Sequence, residues 1–185
     1  MEEKMSRLII TLTVIGIISA LSLAIVYEWT SPRIDEHQVE KQNEAVKNLL
    51  PEAEEIEETE KEGTEFFEGR DGSGNLVGVV VSLAGSGFQG EIELMVGADP
   101  AGEKIFGIEI LQHEETPGLG ARIEEKSYRN NYRDKPFGEY EVVKSETEDE
   151  NEVEAIAGAT VSSESVARIV EDAVEKLKTV YGGGA

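Results

Sequence analysis

Residues 91–113 read EIELMVGADPAGEKIFGIEILQH. Glu91 to Ala98 alternates polar and apolar residues with the period of two that a strand requires. Asp99-Pro100-Ala101-Gly102 supplies turn residues, and Lys104 to His113 is a second β-branched run. Two strands joined by so short a turn form an antiparallel hairpin, because a parallel pair needs a crossover of a dozen residues or more.

The pattern continues upstream. Glu65 to Arg70 is a short strand, Asp71-Gly72-Ser73-Gly74 a turn, and Asn75 to Leu83 (NLVGVVVSL) a further strand. Ala84 to Gly90 (AGSGFQG) is a glycine-rich loop around Phe88, whose ring is expected to pack within the loop or core. This predicts an antiparallel meander. Downstream, Ala121 to Tyr132 is expected to be a short helix and residues 139–143 and 152–156 short strands, with an acidic loop between them. From Ser163 on, Val166, Ile169, Val170, Ala173, Val174, Leu177 and Val180 recur at i, i+3, i+4 and i+7, the stripe of an amphipathic helix packed on a sheet. The fold class expected is α+β.

The N-terminal portion differs in kind. Leu8 to Tyr27 is an uncharged run, which as a helix spans about 30 Å, the thickness of a bilayer core. A secretory signal would have a shorter apolar region and a small-residue cleavage site. Here the run ends in Val26-Tyr27-Glu28-Trp29, with aromatics suited to the membrane interface. Lys4 and Arg7 precede it, so the positive-inside rule places the N-terminus in the cytoplasm and the remainder outside. Pro32 to Leu50 reads as a juxtamembrane helix stopped by Pro51, with His37 on its surface, and residues 52–63 (EAEEIEETEKEG) as a solvated acidic loop. The resulting division is a cytoplasmic tail (1–7), a membrane helix (8–28), a juxtamembrane helix with acidic linker (29–63) and a soluble domain (64–182).

Composition narrows the functions. The 185 residues carry 17 Lys+Arg against 39 Asp+Glu, a formal net charge of −22, which excludes nucleic-acid binding. There is no cysteine, so disulfides, thiolate metal sites and cysteine nucleophiles are excluded. Two histidines far apart in sequence make a multi-histidine metal site unexpected, and His113 is expected to be structural.

Two loops invite a ligand. Ala157 to Glu164 (AGATVSSE) precedes the amphipathic helix. Gly158 permits close approach, Thr160, Ser162 and Ser163 offer hydroxyls, and a helix N-terminus attracts anions. Ser162 or Ser163 as a plain N-cap accounts for the same residues, so the motif alone leaves both readings open. Glu114 to Gly120 (EETPGLG) likewise serves as a tight turn with or without a ligand.

In combination the segments GFQGEIELMVGAD, HEETPGLGARI and AGATVSSESV resemble the three motifs of the FMN-binding domain family found in the G subunit of the Rnf complex and the C subunit of the sodium-pumping NADH:quinone oxidoreductase. The resemblance covers residues 8–180 and implies a single membrane helix followed by one FMN-binding domain. It implies that FMN is esterified through its phosphate to Thr160, by a flavin transferase that uses FAD as donor, with Gly158, Ala159, Ser162 and Ser163 around the phosphate. Glu115, Thr116, Leu119 and Gly120 would line the isoalloxazine, Glu115 or the loop backbone meeting its polar edge and Leu119 its face. Ala157 departs from the serine that many members carry there; the acceptor threonine is kept. The family implies an electron carrier, without catalytic residues of its own, in a membrane complex coupling ferredoxin:NAD⁺ electron transfer to Na⁺ or H⁺ translocation. The alternatives are the C subunit of the quinone reductase, for which the chain is short, and an anchored extracytoplasmic module without redox activity.

Overall fold

The computed structural model describes residues 2–145 and 147–182, with the backbone alone for residues 2, 3 and 30–36. Met1 of the expected N-terminal tail, Glu146 of the expected acidic loop and the terminal residues 183–185 lie outside the described residues. The chain divides into two compact units, Met1–Lys41 and Gln42–Ala185.

The first unit is helical. Helix α1 is continuous over Glu2–Leu49, so Pro32 does not begin a new helix as the sequence suggests. Within it Lys4–Trp29 is long and apolar enough to cross a membrane, with a mean hydropathy of 2.6 and none of its most apolar stretch buried against protein. Thr11 and Thr13 turn their hydroxyls back onto the carbonyls of Arg7 (2.8 Å) and Ile9 (2.9 Å). Each donor is thereby satisfied inside its own helix, as hydrocarbon surroundings demand.

The second unit is an α+β domain. Strands β1 (Glu55–Lys61), β2 (Thr64–Arg70), β3 (Leu76–Ser86), β4 (Glu91–Ala98) and β5 (Ile105–His113) form one antiparallel meander in chain order. The hairpin read from residues 91–113 is β4–β5, but β4 is buried on both faces rather than one. Phe66, Val79, Val81, Leu94, Val96, Ile108 and Ile110 belong to a core shared with helix α3 (Thr160–Tyr181), through Val166, Ile169, Val170, Ala173, Val174 and Leu177. The alternate residues Phe67, Val80 and Met95 pack with Ala45, Val46, Leu49 and Leu50 from the last turns of α1. The period of two thus feeds two cores, one on each face.

Two glycines shape the second core. Gly69 and Gly78 face each other across β2 and β3. A Cβ on either would fall 2.7 Å and 2.4 Å, respectively, from a methyl group of Leu50. Their shared lack of a side chain makes the flat seat on which Leu50 rests.

Two expectations are corrected, and the two short strands expected at 139–143 and 152–156 are present. The acidic stretch 52–63 is not a loop: residues 55–61 form β1, paired in full register with β2 from Glu55↔Arg70 to Lys61↔Thr64. The sheet therefore begins well before residue 64, within the expected linker. Residues 121–132 do not form one helix but a 3₁₀ turn at Gly120–Glu124, the single-turn helix α2 (Lys126–Arg129) and another 3₁₀ turn at Asn130–Tyr132. The short strands β6 (Glu141–Val143) and β7 (Glu152–Glu154) pair parallel in a sheet of their own.

A charged knot joins β1 to the rest. The Lys61 ammonium donates to Glu68 Oε1 (2.7 Å) and to the Tyr181 hydroxyl (3.0 Å), and that hydroxyl donates to the same carboxylate oxygen (2.9 Å). Arg70 donates to Glu68 Oε2 at 2.8 Å. The bond from Lys61, more than those from Tyr181 and Arg70, holds the Glu68 carboxyl below its ordinary range, and Glu68 in turn raises the Lys61 ammonium.

This packing is open to two tests. Gly78→Val is expected to cost about 1–3 kcal/mol by overpacking. Combined with Leu50→Ala its effect should be smaller than the sum of the two single losses, because the second change vacates the space the first intrudes on. Urea unfolding of the full chain in detergent, followed by circular dichroism, measures both. Glu68→Gln should destabilise at neutral pH. The depressed carboxyl contributes stability above its unfolded-state value of about 4.3, and loses it as pH falls through the lower folded value. The difference between variant and parent should accordingly vanish below that range; a difference independent of pH would contradict the assignment.

Candidate functional site

Three loops from separate parts of the chain meet at the N-terminus of α3. Residues 87–90 connect β3 to β4 and close on themselves, Gly87 N–H donating to Gly90 C=O at 2.7 Å. Residues 114–120 follow β5, and residues 155–159 follow β7.

The last two share one backbone solution. In Thr116-Pro117-Gly118-Leu119 the Leu119 N–H donates to Thr116 C=O (3.1 Å), with φ +77° at Gly118. In Ile156-Ala157-Gly158-Ala159 the Ala159 N–H donates to Ile156 C=O (2.9 Å), with φ +84° at Gly158. Glycine with positive φ at the third position is the requirement of a type II turn, and Pro117 presets the position before it. Each turn leads directly into a helical segment. The half-exposed Leu119 lies over the second turn, its side chain 3.6 Å from where a Cβ on Gly158 would stand.

The start of α3 corrects the sequence reading. Thr160 is the first helical residue, not a residue outside the helix, and the capping position falls on Ala159, which has no side-chain hydrogen bond to offer. Ser163 is no cap: its buried hydroxyl accepts from Ile156 N–H (3.0 Å) and donates to Ala159 C=O (3.1 Å), bolting the preceding turn to the helix. The Ser162 hydroxyl donates to Glu115 Oε2 at 2.7 Å. Both serine protons are therefore committed within the protein. The helical ladder begins with Ser163 N–H donating to Ala159 C=O (3.1 Å), which leaves the amides of Thr160, Val161 and Ser162 ahead of it.

Glu114 is exposed, whereas Glu115 is buried, at 5 % relative exposure, with acceptors facing the 87–90 loop and Ser162. Gly120 is buried beside it and Thr116 is half-buried. His113, as expected, is structural: its Nδ1 accepts the Glu115 N–H at 3.1 Å, and its Nε2 lies 3.5 Å from a Glu124 carboxylate oxygen. Phe88, expected to pack inward, is instead 63 % exposed, because both loop amides at 88 and 89 turn inward and send the ring out.

Half-buried Thr160 stands at the edge of a cleft of about 540 Å³ that Gly158, Tyr128, Asn131, Arg122 and Lys144 also line. No hydrogen bond engages the Thr160 hydroxyl among the described residues. Arg122 is paired with Glu125 (3.2 Å), and Lys144 is exposed. Tyr128 closes the cleft from below, donating to Ser163 C=O (3.3 Å), and burial pushes its phenol up to about 12, so it stays a neutral donor. A slightly larger groove, about 600 Å³, lies elsewhere beside β5 and α2. In it Arg129 pairs with Glu109 and Lys104 with Asp134 (3.4 Å), and it contains none of the motif residues. The cleft at Thr160 is therefore the candidate site. Among the described residues no group of three or more His, Asp and Glu side chains is placed to hold a metal ion.

An anion suits the start of α3, where three amides lie outside the ladder at the positive end of a 22-residue helix dipole; the side chains along the cleft are mixed in charge, Arg122 and Lys144 with Glu125 and Glu154.

Comparison with known proteins agrees. Residues 87–175, which include all three loops, match the family described as FMN-binding domain. The chain is 34 % identical to the G subunit of the ion-translocating oxidoreductase complex of Methanosarcina acetivorans, over 98 % of both chains. It is also 34 % identical to the G subunit of the proton-translocating ferredoxin:NAD⁺ oxidoreductase complex of Clostridium ljungdahlii, over 93 % of this chain and 91 % of that one. The fold is similar to the crystal structure of NqrC from Shewanella oneidensis, with a TM-score of 0.54 at 22 % identity over 71 % of this chain and 74 % of the other. By its near full-length similarity to such proteins, this chain belongs to the family of G subunits of ion-translocating oxidoreductase complexes, electron-transfer proteins built on an FMN-binding domain.

Proposed function

We propose that the chain carries FMN esterified to the Thr160 hydroxyl and relays electrons between neighbouring subunits of a membrane complex that couples ferredoxin:NAD⁺ electron transfer to Na⁺ or H⁺ translocation. The observation that carries the reading is the state of Thr160 itself. It is half-buried at the first position of α3, no described residue engages its hydroxyl, and it borders a cleft with Arg122 and Lys144. Relatives that match 98 % and 93 % of this chain are named as G subunits, which favours that complex over the quinone reductase.

The residues fit a phosphoester. The amides of Thr160, Val161 and Ser162 would hold its oxygens, in place of the serine hydroxyls that the sequence suggested. Lys144 is the cation along the cleft that could meet the phosphate, since Arg122 is paired with Glu125. Leu119, Phe88 and Val161 are large apolar side chains left exposed at the same end of the domain, and offer the ring an apolar surface. When bound, the flavin supplies the redox chemistry; the chain supplies position and electrostatics. In the attachment step the Thr160 Oγ–P bond forms as the pyrophosphate bond of FAD breaks. AMP leaves and the hydroxyl proton is lost, with a flavin transferase as the catalyst. A covalent tether frees an acidic protein from holding an anionic cofactor by affinity alone.

The apolar stretch of α1 anchors the chain, and Lys4 and Arg7 ahead of it orient the N-terminus to the cytoplasm, leaving the flavin domain outside.

Co-expression with a flavin transferase should give a band that fluoresces under ultraviolet light on a denaturing gel. Thr160→Ala should abolish that band without loss of folded protein, and Thr160→Ser should retain it. A fluorescent Thr160→Ala band would place the bond elsewhere, and an absent band in the parent would remove the covalent reading.

A further inference from the structure

The carboxylate of Glu115 touches each wall of the site. Its Oε1 accepts the amide protons of Phe88 (2.5 Å) and Gln89 (3.3 Å), and its Oε2 accepts the hydroxyl proton of Ser162 (2.7 Å). Residue 115 itself belongs to the loop after β5, so one side chain ties the β3–β4 connection, that loop and the first turn of α3 together. The space around it is cleared on two sides. A Cβ on Gly87 would lie 2.4 Å from Oε1, and a Cβ on Gly120 would lie 2.3 Å from Oε2 and 2.7 Å from Ser162 Oγ. Neither glycine has a positive φ, so each is required for room and not for backbone conformation. The backbone at this point is fixed separately, by the bond from Glu115 N–H to His113 Nδ1 (3.1 Å).

We propose that Glu115 is a positioning residue: it sets the spacing of the β3–β4 connection and the loop after β5 against the first turn of α3, around Thr160, and does not meet the flavin itself. The inference rests on Thr160 as the attachment point. A carboxylate suits the task because it accepts at both oxygens and donates at neither, so all three donors converge on it without conflict. Removing it strands two inward-facing loop amides and frees Ser162 to turn its hydroxyl elsewhere. Glutamine has the same shape and keeps one carbonyl oxygen for the loop amides. Its NH₂ then faces Ser162, whose hydroxyl can rotate to accept, so glutamine should rescue most of what alanine loses.

The test uses the full chain in detergent with Glu115→Ala, Glu115→Gln and Ser162→Ala. Hydrogen exchange is read on protein made without the transferase, and labelling rate and midpoint potential on protein exposed to transferase and FAD. Glu115→Ala should speed exchange at Phe88 and Gln89 by about tenfold or more, which is what the loss of one such hydrogen bond allows. It should also slow labelling and shift the potential of whatever flavin is attached. Glu115→Gln should return all three readouts towards the parent. Ser162→Ala cuts only the helix arm, and should keep Phe88 and Gln89 protected while slowing labelling. Unchanged exchange in Glu115→Ala overturns the proposal. So do parental labelling and potential in both Glu115→Ala and Ser162→Ala, or a glutamine variant no better than alanine. Should Glu115→Ala fail to fold, the glutamine and Ser162→Ala results decide by the same criteria. If the parent takes up no flavin at Thr160, the attachment reading fails, while the exchange data still decide whether Glu115 joins the loops.

Discussion

A meander whose strands carry apolar side chains on both faces has to be covered twice. Phe66 and Phe67, or Val79, Val80 and Val81, are neighbours in sequence that enter different cores. One face takes α3, the helix whose stripe is plain in the sequence. The other takes the stretch from Ala45 to Leu50, the end of α1. The α+β domain therefore cannot be cut out at the first obvious strand. The turns just before Pro51 belong to its core as firmly as α3 does, and Leu50 on its paired-glycine seat is the fastening.

The same scaffold decides the site. β3–β4, β5 and β7 deliver three loops to the N-terminus of α3, two of them closed as type II turns on the positive-φ glycines Gly118 and Gly158, and Gly158 lines the cleft beside Thr160. Because those turns close on backbone hydrogen bonds, their shape does not depend on a bound group. The polar chemistry is divided: serine hydroxyls and the Glu115 carboxylate serve the protein, and backbone amides with Arg122 and Lys144 face outward.

Much of this was legible in the sequence, and the failures have physical reasons. The hairpin at 91–113 and the stripe from Val166 to Val180 were readable because burial imposes a period. The strand Glu55–Lys61 was not, since an outer strand held by backbone pairing needs no apolar face, and its glutamates disguise it as linker. The Thr160 motif could be located but not resolved: local rules make Ser162 and Ser163 caps, whereas tertiary partners 47 residues away (Glu115 for Ser162) claim the hydroxyl instead. Glu114 and Glu115 look alike in sequence. Only the convergence of loops that are distant along the chain sends one to solvent and the other inside.

The placement of β1 at the margin of the sheet bears on how the protein tolerates crowding. Its far side presents unpaired main-chain groups, the kind of template on which a neighbouring molecule can add a strand. Proteins confined to a membrane plane meet one another at high local concentration, which sharpens that hazard. Glu55, Glu57, Glu58 and Glu60 all lie along this strand. Two such margins brought together would crowd the glutamates of both copies along one seam, so the row that hides the strand from sequence reading also disfavours strand addition by a second copy of the domain.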